Sequence, residues 1–182
     1  MMSDRIKTLY SCAILLLAFS LTACAPINIQ QYAENTPKFD LFDFFTGETR
    51  GWGIVQSRNG TLLRQFVVDI DGQINASGQL VMTEDFVWSD GEISQRIWTI
   101  SQNSEGNFNG QAEDIIGQAK GEASGNVLNW NYNLNLKVDN STWKIRFDDW
   151  MFLQQDNVLI NRAQMKKFGF RVGEITIAFI KK

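Results

Sequence analysis

The sequence predicts an all-β fold, an antiparallel up-and-down barrel of about eight to ten strands with a short N-terminal helix. Turn dipeptides recur at short intervals, at Asn59-Gly60, Asp71-Gly72, Asp90-Gly91, Glu105-Gly106 and Asp139-Asn140. Such pairs tolerate the positive φ that tight hairpins demand. Between them apolar and polar residues alternate with the period of two that marks a half-buried strand. A meander of that length leaves two unpaired edges, and closing it on itself removes them.

The chain opens with a targeting segment. Arg5 and Lys7 precede an apolar stretch from Leu9 to Leu21, too short to span a bilayer but of the size of a signal-peptide core. Leu21-Thr22-Ala23-Cys24 closes it, and this pattern resembles the lipobox of bacterial lipoproteins. The resemblance implies that residues 1–23 are removed and that Cys24 carries the lipid. Acylation of that kind anchors a protein stably, since two hydrophobic signals already suffice. Ala25 stands where many enterobacterial inner-membrane lipoproteins carry Asp, which by analogy places the protein at the outer membrane, facing the periplasm. Residues 24–36 read as lipidated cysteine and tether, because Pro26, Asn28, Gln30, Gln31 and Asn35 break any apolar period. Residues 37–182 read as one barrel domain.

Thr36 and Pro37 suit the N-cap and first position of a short helix, and Gly47 its end. Phe39, Leu41, Phe42, Phe44 and Phe45 are too many apolar residues for a solvated helix, so the segment should cover or plug something. Strands are expected at Trp52 to Ser57, Leu62 to Ile70, Gln79 to Trp88, Ile93 to Ser101, Phe108 to Ile116, Leu128 to Val138, from Trp143 onward, and Phe170 to Ile180. Val158 to Met165 fits a strand or a short helix. The clearest strand sets Leu128, Trp130, Tyr132, Leu134 and Leu136 against Asn129, Asn131, Asn133 and Asn135. The alternation changes face near Gly173, which predicts a bulge. Gly110, Ala112, Gly117, Ala119, Gly121, Ala123 and Gly125 mark a coiled corner or a close approach by a ligand or backbone. Alternation also suits a membrane-spanning barrel, but Arg64, Glu84 and Arg96 fall among the apolar positions and a lipid anchor would be redundant on one.

Composition narrows the chemistry. The chain has no histidine, two cysteines (Cys12 in the signal segment and Cys24) and a net charge of −3. Ser-His-Asp and Cys-His catalysis and thiolate metal sites are thereby excluded from the barrel, and nucleic acid is a poor partner for an acidic domain. No metal and no cofactor is indicated. Asp148-Asp149, Glu84-Asp85 and Asp90-Gly91-Glu92 are the dense carboxylates, but they lack the spacing of a calcium loop. Paired carboxylates would permit an enzyme acting on lipid or glycan.

Four charges share the parity of apolar strand positions and should point inward: Arg64, Glu84, Arg96 and Asp149. Buried charges must pair, meet water or meet a ligand. Two readings stand. The charges form an internal ion-pair network or are turned outward by bulges; or Arg64 or Arg96 holds an acyl carboxylate or phosphate while aromatics, Trp88, Trp98, Trp130 and Trp143 among them, enclose its tail.

Phe45-Thr46-Gly47, Gly51-Trp52-Gly53, Glu84-Asp85-Phe86, Ser89-Asp90-Gly91-Glu92, Arg96-Ile97-Trp98, Phe147-Asp148-Asp149-Trp150-Met151 and Lys167-Phe168-Gly169 together resemble an uncharacterised family of proteobacterial lipoproteins, domain of unknown function 3833. That resemblance implies a calycin-like, lipocalin-like barrel and, because some members are encoded near fatty-acid-modifying enzymes, a lipid ligand. It implies no catalytic residue. Gly51-Trp52-Gly53 also resembles the lipocalin Gly-x-Trp, though the spacing differs and the paired cysteines are absent. The expectation is a membrane-anchored binding protein whose ligand is a fatty acid, phospholipid or isoprenoid. The alternatives are an assembly lipoprotein acting through protein contacts and the carboxylate-dependent enzyme.

Overall fold

The computed structural model describes residues 27–138 and 141–182. The expected signal segment, Cys24 and the expected turn at Asp139-Asn140 lie outside the described residues. Ten strands follow one another: β1 (Gly47–Ser57), β2 (Leu62–Ile74), β3 (Leu80–Trp88), β4 (Ile93–Gln102), β5 (Phe108–Gln111), β6 (Ala119–Ser124), β7 (Val127–Val138), β8 (Ser141–Leu153), β9 (Val158–Lys167) and β10 (Phe170–Lys181). Each pairs antiparallel with its sequence neighbours, and β1 pairs with β10 from Thr49–Lys181 to Ser57–Gly173, which closes the barrel. Val158 to Met165 is therefore strand, and the register slips between Arg171 and Gly173, where the alternation changes face. All strands and their partners lie within residues 47–181, so a chain starting at residue 25 keeps the complete barrel.

Side chains alternate as the pleat requires. Leu128, Trp130, Tyr132 and Leu134 of β7 are buried in the lumen with Ile145 and Phe147 of β8, and Leu80, Met82, Trp98 and Ile100 come from β3 and β4. Outward positions on β6 to β8 carry Asn131, Lys120, Lys144 and Arg146, whereas Trp52, Ile54, Val87, Ile97 and Ile180 are exposed on β1, β3, β4 and β10. No helix among the described residues is long and apolar enough to cross a membrane.

One end is plugged. Helix α1 (Leu41–Phe45) is capped by Asp40, whose carboxylate accepts from the backbone N–H groups of Phe42 and Asp43. The cap is thus Asp40 and not Thr36, which precedes a cis peptide to Pro37. Phe45 meets Phe179 edge-on at 5.7 Å, and Phe42 lies 6.0 Å from Phe108. Gly72 is in the body of β2, opposite Gly47 and Met82. A Cβ there would fall 1.8 Å from the Phe45 carbonyl oxygen, so Asp71-Gly72 serves helix docking and the hairpin turn is made instead by Asn75 to Gly78. Asn75 Oδ1 accepts there from the backbone of Ser77 and Gln79.

Two further segments depart from expectation. Residues Ile29–Tyr32 form a 3-10 turn in which Ile29 is buried. Tyr32 sits edge-on to Trp150 and Phe152 on the outer wall of β8, and Gln30 donates to Glu122 of β6. Two apolar side chains suffice to fasten a stretch whose composition reads as tether. The run of small residues makes room for a side chain: Cβ atoms at Gly110 and Gly121 would come within 2.5 and 2.3 Å of the Trp130 indole. At Gly125 the close approach is by backbone, since a Cβ there would fall 1.7 Å from the Tyr32 carbonyl oxygen.

Candidate functional site

The ends of the barrel differ. Toward α1 the inward-facing Val68, Leu80, Leu128 and Leu159 are fully buried. Toward the other end, hereafter the mouth, Val55 of β1, Phe86 and Trp88 of β3 and Ile175 of β10 are only partly buried although they point into the lumen. In a closed barrel an inward side chain reaches water only through an open end. Apolar side chains therefore form the rim of the mouth on the β10-β1-β2-β3 side, packed against the core beneath them.

A polar cluster lies deeper. Glu84 and Arg96 are cross-strand partners on β3 and β4, with Arg96 Nη1 4.0 Å from Glu84 Oε2. Arg96 donates through Nε at 3.2 Å and Nη2 at 2.7 Å to Asp114 Oδ2. The β5–β6 connection holds Asp114 in place through a bridge between Ile115 and Leu134 and a hydrogen bond from Asn135 N–H to the Asp114 carbonyl. Trp130 of β7 is opposite Asp149 of β8, and the Tyr132 hydroxyl lies 3.4 Å from Asp149 Oδ2. Asn161 of β9 is also buried. Buried Oδ1 atoms of Asp114, Asp149 and Asn161 lack hydrogen-bond partners, leaving acceptors for a proton or a ligand donor.

Burial sets the electrostatics. It pushes the Glu84 carboxyl up to about 7 against the opposing pull of Arg96. It pushes Asp149 to about 7 as well, with Tyr132 and Asn161 opposing. Tyr132 is held well above its ordinary value, by burial first and by Asp149 second. Burial acts to lower Arg96, but the charges around it, Glu84 foremost, outweigh that and keep the guanidinium protonated. Three carboxyl groups thus accompany one cation, and two of them are poised to carry protons near neutrality.

The expected site residues separate into two places. Glu84, Arg96 and Asp149 share the lumen with Trp98 and Trp130, whose rings meet at 5.7 Å. Arg64 does not join them: it lies at the mouth, 4.0 Å over the Trp88 indole, paired with Asp90 at 2.7 Å and Glu92 at 2.9 Å in the β3–β4 turn. Its charge is consumed in holding that turn. Trp88 donates to Ser94 Oγ and stacks on Phe86 at the same level. Trp143 lies exposed at the mouth, with Lys167 Nζ 3.1 Å from its ring centroid, because β8 begins there. Sequence parity passes over Tyr132, which reads as core, over Asp114, which sits in a connection without alternation, and over Asn161. Outside the lumen, a groove of about 370 Å³ runs along the outer wall beside Asn107, Lys120, Glu122 and Asn129. Among the described residues no group of His, Cys, Asp and Glu is arranged to hold a metal ion.

A family model described as "Protein of unknown function (DUF3833)" matches residues 18–181. No curated protein matches the chain. Among solved structures, a protein of unknown function from the DUF3598 family of Nostoc punctiforme aligns with a TM-score of 0.58 at 14% identity, over 81% of this chain and 51% of that one. The chain thus spans about half the length of that relative, and the likeness is one of fold.

Proposed function

The chain belongs to the DUF3833 family, proteins described only as of unknown function, and from that premise and the shape of the lumen we propose that it binds an acyl chain or another small amphiphile inside the barrel. The observation that carries the reading is the partly exposed apolar rim of the mouth beside the inward-facing Glu84, Arg96 and Asp149. Val55, Phe86 and Ile175 offer surface to a tail. Arg96 offers the guanidinium charge that suits a carboxylate, with Nη1 free of a hydrogen bond among the described residues and Nε and Nη2 held by Asp114. An arriving anion therefore competes with Asp114 for the donor fork, and Glu84, whose pKa is about 7, takes up a proton at small cost when its cation turns away.

In the same proposal residues 1–23 are a signal peptide and Cys24 carries a lipid anchor at the outer membrane, facing the periplasm, with residues 37–182 as one domain. The protein acts by binding and not by catalysis. Native mass spectrometry of residues 25–182, secreted without the anchor and purified without detergent, is expected to show a stoichiometric acyl or isoprenoid adduct. A bare mass with no uptake of added lipids would remove the carrier reading. The role of Arg96 is separable by ligand chemistry: a long-chain fatty acid is expected to bind about tenfold or more tightly than its methyl ester, and Arg96→Gln to erase the difference. Equal binding of acid and ester by the unaltered protein would take the carboxylate away from Arg96.

A further inference from the structure

We propose that the mouth of the barrel docks onto a membrane surface bearing anionic headgroups, with the tip of the β9–β10 hairpin entering the interface. Among the described residues, every large apolar side chain more than half exposed sits at the mouth, Ile27 excepted. Phe168 is 89% exposed, Ile93 78% and Phe170 73%. Phe168 and Gly169 form the β9–β10 turn with φ of 51° and 83°, so the ring stands at the apex, farthest from the core. An exposed aromatic on a turn that asks only for small or polar residues has no folding role.

Cations surround these rings. Lys137 and Lys144 lie on β7 and β8 at the mouth, and Lys166, Lys167 and Arg171 flank Phe168 and Phe170; Lys166 pairs with Asp148 and Arg171 with Glu174, and the mouth acids Asp90 and Glu92 are held by Arg64. Lys167 caps Trp143 while remaining at the rim. Aromatic tips ringed by Lys and Arg match the layered chemistry of a bilayer surface, where rings seat among headgroups and cations meet phosphates. The plugged end is different: Asp40, Asp43, Glu48, Asp69 and Asp71 gather there, with Lys181 and Lys182 among them. That asymmetry would turn the mouth toward an anionic surface. Each cation brought near such a surface is worth about fivefold in partitioning.

The surface is continuous with the apolar rim of the mouth, so a docked barrel would exchange an amphiphile without exposing its tail to water; this step rests on the carrier reading above. It also accommodates the anchor. Cys24 lies five residues before Ile29, a reach of about 17 Å, and Ile29–Tyr32 rest on the β6–β8 wall toward its plugged end, against Gly125, Trp150 and Phe152. Arg146, Arg162 and Lys166 face outward on β8 and β9, Arg162 paired with Glu174 and Lys166 with Asp148, so a barrel leaning on that flank would bring the tether and the β9–β10 tip to one surface.

Residues 25–182 contain no cysteine, so a single introduced thiol reports one site. Phe168→Cys labelled with nitrobenzoxadiazole is expected to shift blue and brighten with phosphatidylcholine vesicles containing phosphatidylglycerol, and to change little with phosphatidylcholine alone. The same label at Ser77→Cys, on the plugged end, should not respond. In sedimentation, Phe168→Ser with Phe170→Ser should weaken vesicle binding about tenfold or more with an unchanged melting temperature. Absence of binding to the acidic vesicles, an equal response at Ser77, or full binding by the double variant would overturn the proposal. Vesicle binding without any lipid adduct would leave docking standing and refute only the carrier reading.

Discussion

Asp149 shows how a single buried acid can make stability depend on pH. Its carboxyl is almost wholly buried, has one unpartnered oxygen and titrates near 7. Glu84 behaves alike. A carboxyl whose pKa is higher in the folded chain than in the unfolded one binds its proton more tightly when folded. Its stabilising contribution is therefore complete below the ordinary value near 4 and is lost as pH rises to 7. Each group should cost roughly 3 kcal/mol across that window. Urea denaturation is expected to show stability falling from pH 5 to pH 8, and Asp149→Asn should flatten the fall by about half. Parallel profiles for the two proteins would remove Asp149 as its source. A second expectation at this scale concerns Gly121, whose Cβ would overlap the Trp130 indole. Gly121→Val should destabilise by about 3 kcal/mol and perturb the near-ultraviolet circular dichroism of the indoles. A variant of native stability would mean that Trp130 moves aside freely.

Elements were legible where one face of a strand is apolar along its whole length. β7 and the middle of β8 announce themselves because Leu128, Trp130, Tyr132 and Leu134, and Ile145 and Phe147, all enter the core. The ends of β2 and β8 are hidden, since Gly72 yields its place to the helix and Asp149 sits polar in an apolar row. Turn chemistry misleads at the same point: Asp71-Gly72 has the composition of a hairpin, but tertiary contact with Phe45 decides its role. Of the site, the inward charges Glu84, Arg96 and Asp149 follow from parity alone. Arg64 shares the parity but lies near the strand end, where the turn acids Asp90 and Glu92 reach it. Asp114 could not be placed, because a connection has no face to count. Helix α1 offers its own check. Asp40→Ala removes the acceptor of two backbone N–H groups and should cost about 1 kcal/mol, whereas Phe45→Ala empties a fully packed position and should cost 3 to 5 kcal/mol, about the range for buried aromatics. Equal losses would show that the plug is held by its cap and not by its rings.

At the scale of the molecule, closure is the decisive property. The barrel has no edge only because β1 and β10, at the two ends of the domain, pair along nine residue positions from Thr49–Lys181 to Ser57–Gly173. The chain between them must be in place before that seam can form, so the pairing least favoured by loop entropy protects all the others. Removing β10 would do more than subtract one strand. It would expose the backbone of β1 and of β9, two long edges of which β9 is rich in aliphatic residues, and would open the lumen beside Phe66 and Met165. A chain ending at residue 169 is therefore expected to lose its cooperative unfolding transition and to associate through its edges, which size-exclusion chromatography and thioflavin fluorescence would register. Supplying residues 170–182 as a peptide should restore a monomer if the remaining nine strands keep their curvature. A stable monomeric nine-stranded chain would show that the sheet is held by its core alone and that the seam is dispensable.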